Sequence, residues 1–185
     1  VKKECMEIFV PGRLCLFGEH SDWAGAQRIF NSAIVPGEAI VTGIEQGIRA
    51  KVNKHERFII YSSLPGEEQM RLECPMSAPQ LREIAREGGY YSYVAGVASY
   101  VYDNYSVQGL EICITERTLP VKRGLSSSAA ICVLVAKAFN RLYDLHMSIK
   151  GEMQVAYYGE QRTPSRCGRL DQACAFGIRP VHMIF

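Results

Sequence analysis

Residues 119–139 read LPVKRGLSSSAAICVLVAKAF, in which a run of Gly, Ser and Ala separates a proline-led loop from a long apolar stretch. The apolar stretch predicts a central helix over residues 127–143, because hydrophobic residues surround its first turns almost completely. A helix N-terminus leaves backbone N–H groups without partners and carries roughly half a positive charge. Small residues at that point let an anion approach those N–H groups closely, so GLSSSAA is typical of a phosphate-binding loop.

Two interpretations of this loop remain open from the residues alone. The stretch is neither a Walker A loop, since no GK[ST] follows, nor a GxGxxG motif. Ser126 could equally cap a helix whose small residues only allow close packing.

A second polar stretch, PGRLCLFGEHSDWAG at residues 11–25, places Arg13 in an otherwise apolar strand and then brings Glu19, His20 and Asp22 together after a glycine. Such a cluster favours binding of a polar ligand such as a polyol, although a solvated loop is the plainer interpretation. A buried arginine requires a carboxylate partner. Asp171, in CGRLDQACAFG, is a candidate for that partner.

Glu160 lies eleven residues before Asp171, at the end of a predicted helix. Two carboxylates on either side of a glycine-containing turn could supply one metal ligand and one base.

The remaining pattern predicts mixed strands and helices, and hence an α+β or α/β class. The expected order is a strand over 5–17 with a turn at Pro11-Gly12, short strands in 38–62 broken by glycines, and helices over 78–105 interrupted at Gly88-Gly89. A strand over 109–117, a helix over 149–162 capped by Ser148, a short helix near 171 and a terminal strand follow. The tyrosine-rich face of residues 90–105, and Trp23, are interpreted mainly as core packing.

Composition excludes several classes of protein. The chain has 185 residues and a net charge of +2, too mild for a nucleic-acid-binding or anionic-membrane-binding surface. No apolar run approaches the roughly 20 residues that span a bilayer. Seven cysteines without a CxxC pair indicate free thiols in a reducing cytoplasm, rather than a disulfide scaffold or a zinc site.

Three blocks together resemble a known family, the GHMP kinases. PGRLCLFGEHSDW (11–23), LPVKRGLSSSAA (119–130) and YYGEQRTPSRCGRLDQACAFG (157–177) are similar, in the same order, to the first two signature motifs and the catalytic segment of these enzymes. The resemblance implies an α+β N-terminal domain of ribosomal protein S5 domain 2-like architecture. It also implies that residues 1–185 form this domain, truncated before a C-terminal domain that carries a third glycine-rich motif.

The resemblance implies ATP and Mg²⁺ as cofactors and a role for each site residue. Ser128 and Glu160 would be the Mg²⁺ ligands. Asp171 would take or orient the proton of the acceptor hydroxyl, and Arg13 would keep it ionised and stabilise charge on the transferred group. The substrate would contact Arg13, Glu19, His20, Asp22 and Asp171. The ATP phosphates would contact Pro120, Gly124, Leu125, Ser126, Ser127, Ser128 and Ala129.

The predicted activity is ATP-dependent phosphorylation of a sugar hydroxyl, galactokinase-like. Carboxylates and histidine suit hydroxyl ligands, and mevalonate kinases carry Lys where this chain has Arg13. Residues 23–28 depart from the galactokinase pattern, however, so the particular sugar, like the oligomeric state, is not predicted. The alternatives are a mevalonate-type kinase and a non-catalytic relative that binds sugar and nucleotide. An RNA-binding module of the same topology is disfavoured by the low charge.

Overall fold

The computed structural model describes residues 5–67, 70–119, 125–165 and 167–185. Within them, helices pack against one mixed sheet, which confirms the predicted α+β class. The strands are β1 (Met6–Phe17), β2 (Glu38–His55), β3 (Arg57–Ser62), β4 (Arg71–Pro75), β5 (Gly109–Arg117) and β6 (Pro180–Ile184). The helices are α1 (Trp23–Arg28), α2 (Ala78–Glu87), α3 (Tyr90–Asn104), α4 (Ser127–Tyr143), α5 (Ile149–Glu160) and a 3₁₀ helix (Asp171–Phe176).

The long strand β2 brings distant parts of the chain together. The strand order is β1-β2-β5-β3-β4, and β6 also pairs with β2. Among the described strands, β3 and β5 run parallel and the other pairs are antiparallel. Arg13 on β1 pairs with Gly43, while the adjacent Thr42 pairs with Pro180 on β6. The segment that precedes β6, which contains Asp171, therefore returns to the neighbourhood of Arg13.

The predicted central helix is confirmed. Every residue of α4 from Ala129 to Phe139 is buried, and α4 contacts β1, β2, α3 and α5. A helix that is apolar on all sides is stable only when it is covered on all sides. The core therefore surrounds α4, and its N-terminus is held in a fixed place.

The predicted breaks within the first strands are wrong. β1 continues through Pro11-Gly12 with only a register shift between Pro11 and Arg13, because β1 is an edge strand and a bulge tolerates proline there. β2 likewise continues through its glycines. A side chain at Gly43 would overlap the backbone of Gly177, so this glycine permits close packing and does not end the strand.

The predicted core packing of α3 is confirmed in part. Its buried face consists of small residues and valines, while its tyrosines are partly buried and pack against the core, except Tyr102, which is 39% exposed. Small residues face α5 because the two helices approach closely: a side chain at Gly96 would overlap the carbonyl of Gly159. The break before α3 is confirmed, since Gly88 and Gly89 both have φ of +83°.

The cap of α5 is confirmed, as the Ser148 hydroxyl accepts the Gly151 N–H at 3.1 Å. Helix α1 and strand β4 were not predicted. All seven cysteines are free thiols. In the part of the chain that the structure describes, no helix has the length and hydrophobicity to cross a bilayer.

Candidate active site

Several separate parts of the chain border one cavity of about 720 Å³. They include strand β1, the turn that follows it, the start of α4 and the residues at the beginning of the 3₁₀ helix. Arg13, Asp22 and Asp171 all line this cavity, together with residues 125–128. A volume between about 300 and 1,000 Å³ is usual for a small-molecule site. The structure thus brings together the residues that the sequence predicts to converge.

Arg13 is a buried cation held between two carboxylates. It is 6% exposed, and its Nη1 donates to both oxygens of Glu19, at 2.8 and 3.1 Å. Its Nη2 donates to Asp171 Oδ1. Burial alone would lower the pKa of Arg13, but the charges and hydrogen bonds of Asp171 and Glu19 outweigh burial and raise it. A permanent positive charge therefore lies beside Asp171.

Asp171 begins the 3₁₀ helix and receives two hydrogen bonds on the same oxygen. Oδ1 accepts from Arg13 and, at 2.8 Å, from the Ser126 hydroxyl. Neither bond uses Oδ2. A carboxylate whose one oxygen is bound by a cation and a hydroxyl is held in a single orientation, and its second oxygen remains a candidate proton acceptor.

Ser126 does not cap α4 with its side chain, so the capping interpretation of this serine is wrong. Its backbone is left-handed, with φ of 54°, and its hydroxyl is directed to Asp171. Its carbonyl accepts the Ala130 N–H at 2.9 Å, which starts the helix. The left-handed conformation is costly for a non-glycine residue and persists only where the surroundings fix it.

Of the remaining residues of the predicted phosphate loop, some border the cavity and others do not. Leu125, Ser127 and Ser128 border the cavity, at the end of α4 where N–H groups have no partner within the helix. Ala129 is buried. Pro120 and Gly124 lie outside the described residues.

Glu160, at the end of α5, is a nearly inaccessible carboxylate. It is 1% exposed, and Oε2 accepts from Gln172 Nε2 at 2.9 Å. Burial raises its pKa, although hydrogen bonds from Gln172 and Ser128 oppose the rise. A buried carboxylate in contact with a hydroxyl is a donor set that suits Mg²⁺. The described residues contain no cluster of three His, Cys, Asp or Glu side chains that could hold a metal ion.

The turn after β1 holds three of the five residues predicted to contact the substrate. Glu19 and His20 are exposed at the cavity, although the Glu19 carboxylate is already bound to Arg13. Asp22 is only 5% exposed, and its Oδ2 accepts the Leu170 N–H at 3.0 Å. The structure therefore directs the Asp22 carboxylate toward protein backbone.

One wall of the cavity was not predicted. Tyr90, Tyr93 and Arg117 line it, and Arg117 forms a half-buried ion pair with Glu67. Burial raises the pKa of Tyr90 to about 12, so this phenol stays protonated. The tyrosines directly follow Gly88-Gly89, but no motif marks them as part of a cavity, and the pattern alone is interpreted as core packing.

Trp23 and Cys167 also line the cavity. Trp23 is 48% exposed at the cavity, so its interpretation as core packing is wrong. Burial raises the pKa of Cys167 to about 12, and the neighbouring charge of Glu160 adds to the rise. This cysteine is a protonated thiol and is unsuited to act as a nucleophile.

Comparison with known proteins agrees with this geometry. Residues 92–177 match the model of the family described as GHMP kinases N terminal domain. A galactokinase of Thermotoga maritima is 26% identical over 187 residues, which cover 97% of this chain and 46% of that protein. The chain thus spans about half the length of the curated relatives it matches.

Solved structures show the same fold. The mevalonate kinase of Methanococcus jannaschii superposes with a TM-score of 0.74 at 17% identity, covering 99% of this chain and 54% of that one. The galactokinase of Lactococcus lactis complexed with galactose gives 0.72 at 22% identity, covering 97% and 47%. The predicted resemblance is confirmed: the chain is similar to the GHMP kinases over residues 92–177 and has the fold of these solved structures.

Proposed function

We propose that the protein containing this chain is an ATP-dependent kinase that transfers the γ-phosphate to a hydroxyl of a sugar. The observation that carries the proposal is the arrangement of Arg13, Asp171 and Ser126 at the N-terminus of α4, on the border of one cavity. An acid–base group, a permanent cation and a helix N-terminus are what phosphoryl transfer to an alcohol requires.

The start of α4 would hold the phosphates. Its free N–H groups and the hydroxyls of Ser127 and Ser128 supply donors, and the small side chains leave room for an anion. Ser128 and Glu160 would hold Mg²⁺, which neutralises charge on the phosphates when it is bound. Pro120 and Gly124, which lie outside the described residues, belong to this proposal by resemblance.

Asp171 would accept the proton of the acceptor hydroxyl on Oδ2, since its Oδ1 is bound to Arg13 and Ser126. Arg13, bonded to Asp171, would stabilise negative charge as the bond to phosphorus forms. Little covalent chemistry is left for the protein, because positioning and charge neutralisation account for most of the catalysis of this reaction.

A sugar is the favoured acceptor for two reasons. Curated relatives that match almost the whole chain are galactokinases. Glu19 and His20 also present polar groups to the cavity, where they can bond hydroxyls, and Trp23 offers an exposed ring against which an apolar sugar face can pack. The fold does not distinguish a sugar kinase from a mevalonate-type kinase, because structures of both kinds of enzyme superpose on this chain equally well.

The experiment is an acceptor panel with the full-length protein. Mg-ATP is incubated with each of a set of monosaccharides and with mevalonate, and ADP release is measured. The proposal predicts ADP release with a monosaccharide. Release with mevalonate alone would establish the alternative kinase, and binding of ATP and sugar without ADP would establish a non-catalytic relative.

A further inference from the structure

We infer that Lys137, in the middle of α4, is a positioning residue for the candidate base Asp171, because its ammonium group binds the far end of the 3₁₀ helix that Asp171 begins. The kinetic consequence of this contact rests on the proposed kinase function. The contact itself belongs to the fold and can be measured without any activity.

The 3₁₀ helix needs support from outside. It runs for six residues, Asp171–Phe176, whereas 3₁₀ helices longer than three or four residues are uncommon because their hydrogen bonds have poorer geometry. The last carbonyl groups of a helix also have no partner within the helix. Arg13 and Ser126 hold the first residue through the Asp171 carboxylate. The other end therefore requires a contact of its own.

Lys137 supplies that contact. Its Nζ donates to the carbonyl of Ala175 at 2.9 Å, in a buried environment. Lys137 is 9% exposed and is the charged residue in a run of α4, residues 129–139, that is otherwise apolar. A positive charge at the C-terminal end of a helix interacts favourably with the carbonyl dipoles there. An unbranched apolar side chain would fill the same space without the cost of burying a charge, so the bond to Ala175 is what the lysine adds.

A hydrogen-bond network fixes the Lys137 side chain. Its Nζ lies 3.4 Å from Oε2 of Glu152, a residue of α5 that is 5% exposed. Oε1 of Glu152 accepts from Asn140 Nδ2 at 2.8 Å, and Asn140 also bonds the N–H and the carbonyl of Met147, at 2.9 and 3.1 Å. A buried ion pair held by further hydrogen bonds is rigid. Helix α4, helix α5 and the end of the 3₁₀ helix are therefore joined at one point.

Strand β2 lies on another side of this end of the 3₁₀ helix. A side chain at Gly43 would overlap the carbonyl of Gly177, the residue that follows the 3₁₀ helix, and Gly43 pairs with Arg13 on β1. The 3₁₀ helix thus packs against α4, β1 and β2. If the Lys137 contact is lost, the end of the 3₁₀ helix can shift while Asp171 Oδ1 stays bonded, so the direction of Oδ2 changes.

The expected consequence is a loss in the rate of transfer and not in substrate affinity. A misplacement of about 1 Å in a catalytic group can cost about 10²-fold in rate. Because Arg13 and Ser126 still hold one oxygen of Asp171, removal of the Lys137 contact should cost less, about 10-fold in kcat. The KM for the acceptor should stay within about threefold of wild type, since Lys137 does not line the cavity.

Two variants of the full-length protein separate positioning from stability. Lys137→Met removes the donor to Ala175 and leaves the buried charge of Glu152 unpaired, so it should lower both Tm and kcat. Lys137→Met combined with Glu152→Leu removes both charges and should restore most of the lost Tm, because apolar residues can replace a buried ion pair at little cost. The donor to Ala175 is still missing, so kcat should stay about 10-fold below wild type. Lys150→Met, at an exposed position of α5, is the matched control and should change neither value.

Hydrogen exchange in the full-length protein tests the contact whether or not the protein is a kinase. Exchange of the amides of residues 171–177, measured by mass spectrometry, should be faster in the double variant than in wild type and unchanged in Lys150→Met. The inference is overturned if the double variant exchanges like wild type over these residues, or if its kcat recovers together with its Tm. If Lys137→Met does not fold, the double variant decides by itself.

Discussion

At the scale of single residues, the predictable part of the site is the pair that obeys a simple electrostatic rule. Arg13 interrupts an apolar strand, so a carboxylate partner was required, and Asp171 is that partner. The bonds from Arg13 to Glu19 and from Ser126 to Asp171 were not predictable. They depend on which way each side chain turns once segments far apart in the sequence have met.

Glu160 gives a prediction about pH and stability. Its folded pKa is raised by burial, so between its unfolded and folded pKa the folded chain binds more protons than the unfolded chain. Stability is then lost as the pH rises through this interval. Glu160→Gln, which cannot ionise, should be more stable than wild type at pH 7 and should have the higher Tm. The difference between the two proteins should shrink as the pH falls and Glu160 becomes protonated in both the folded and the unfolded chain.

Glu152 supplies the contrasting control. Glu152 is also buried, but Lys137 Nζ lies 3.4 Å from its Oε2, and Asn140 Nδ2 donates to its Oε1 at 2.8 Å. Glu152→Gln leaves Lys137 without its counter-charge, so it should lower the stability at pH 7 by more than about 1 kcal/mol. Thermal unfolding at several pH values measures both variants. Equal destabilisation by both would contradict the account of Glu160.

At the scale of helices and strands, periodicity predicted the central helix α4, the helices on either side of Gly88-Gly89 and the strand β5. Glycines were the main source of error. In β2 they allow close packing and do not break the chain, and sequence alone does not distinguish the two uses. The small-residue face of α3 was missed for a related reason, because the tyrosines dominated the pattern.

The crossing of α3 and α5 gives a prediction at this scale. A side chain at Gly159 would overlap the backbone of Val97, and the next residue, Glu160, is a proposed ligand of Mg²⁺. Gly159→Ala should therefore destabilise the chain by about 1–3 kcal/mol, because the helices cannot move apart without disturbing the core. Denaturant unfolding measures the loss.

Gly151→Ala is the control in the same helix. Its Cβ would meet only the Met147 side chain and the Ser148 hydroxyl, at 3.3 Å or more, so the substitution should be neutral or stabilising by up to about 1 kcal/mol. If Gly159→Ala proves as stable as Gly151→Ala, close contact between α3 and α5 does not fix the end of α5.

At the scale of the whole molecule, the cavity exists only because the sheet joins the beginning of the chain to its end. β2 pairs with β1 on one side and with β6 on the other. This pairing brings the 3₁₀ helix that precedes β6, which begins with Asp171, close to Arg13 on β1. The resemblance to GHMP kinases predicted this convergence, whereas composition predicted only what the protein does not bind. The cavity wall around Tyr90 and Arg117 was beyond both, since no motif marks it.

The most direct test of the proposed chemistry is phosphoryl transfer by the full-length protein carrying Asp171→Asn. Asparagine preserves the shape of the side chain and its bonds on one oxygen but cannot accept the proton. Transfer from ATP to the acceptor should fall by about 10²–10⁴-fold, while the Kd for Mg-ATP stays within about threefold of wild type. The control is Asp144→Asn, a substitution at an exposed left-handed position away from the cavity, which should not change either value. Full activity of Asp171→Asn, or an equal loss of nucleotide binding and transfer, would contradict the assignment of Asp171 as the catalytic base.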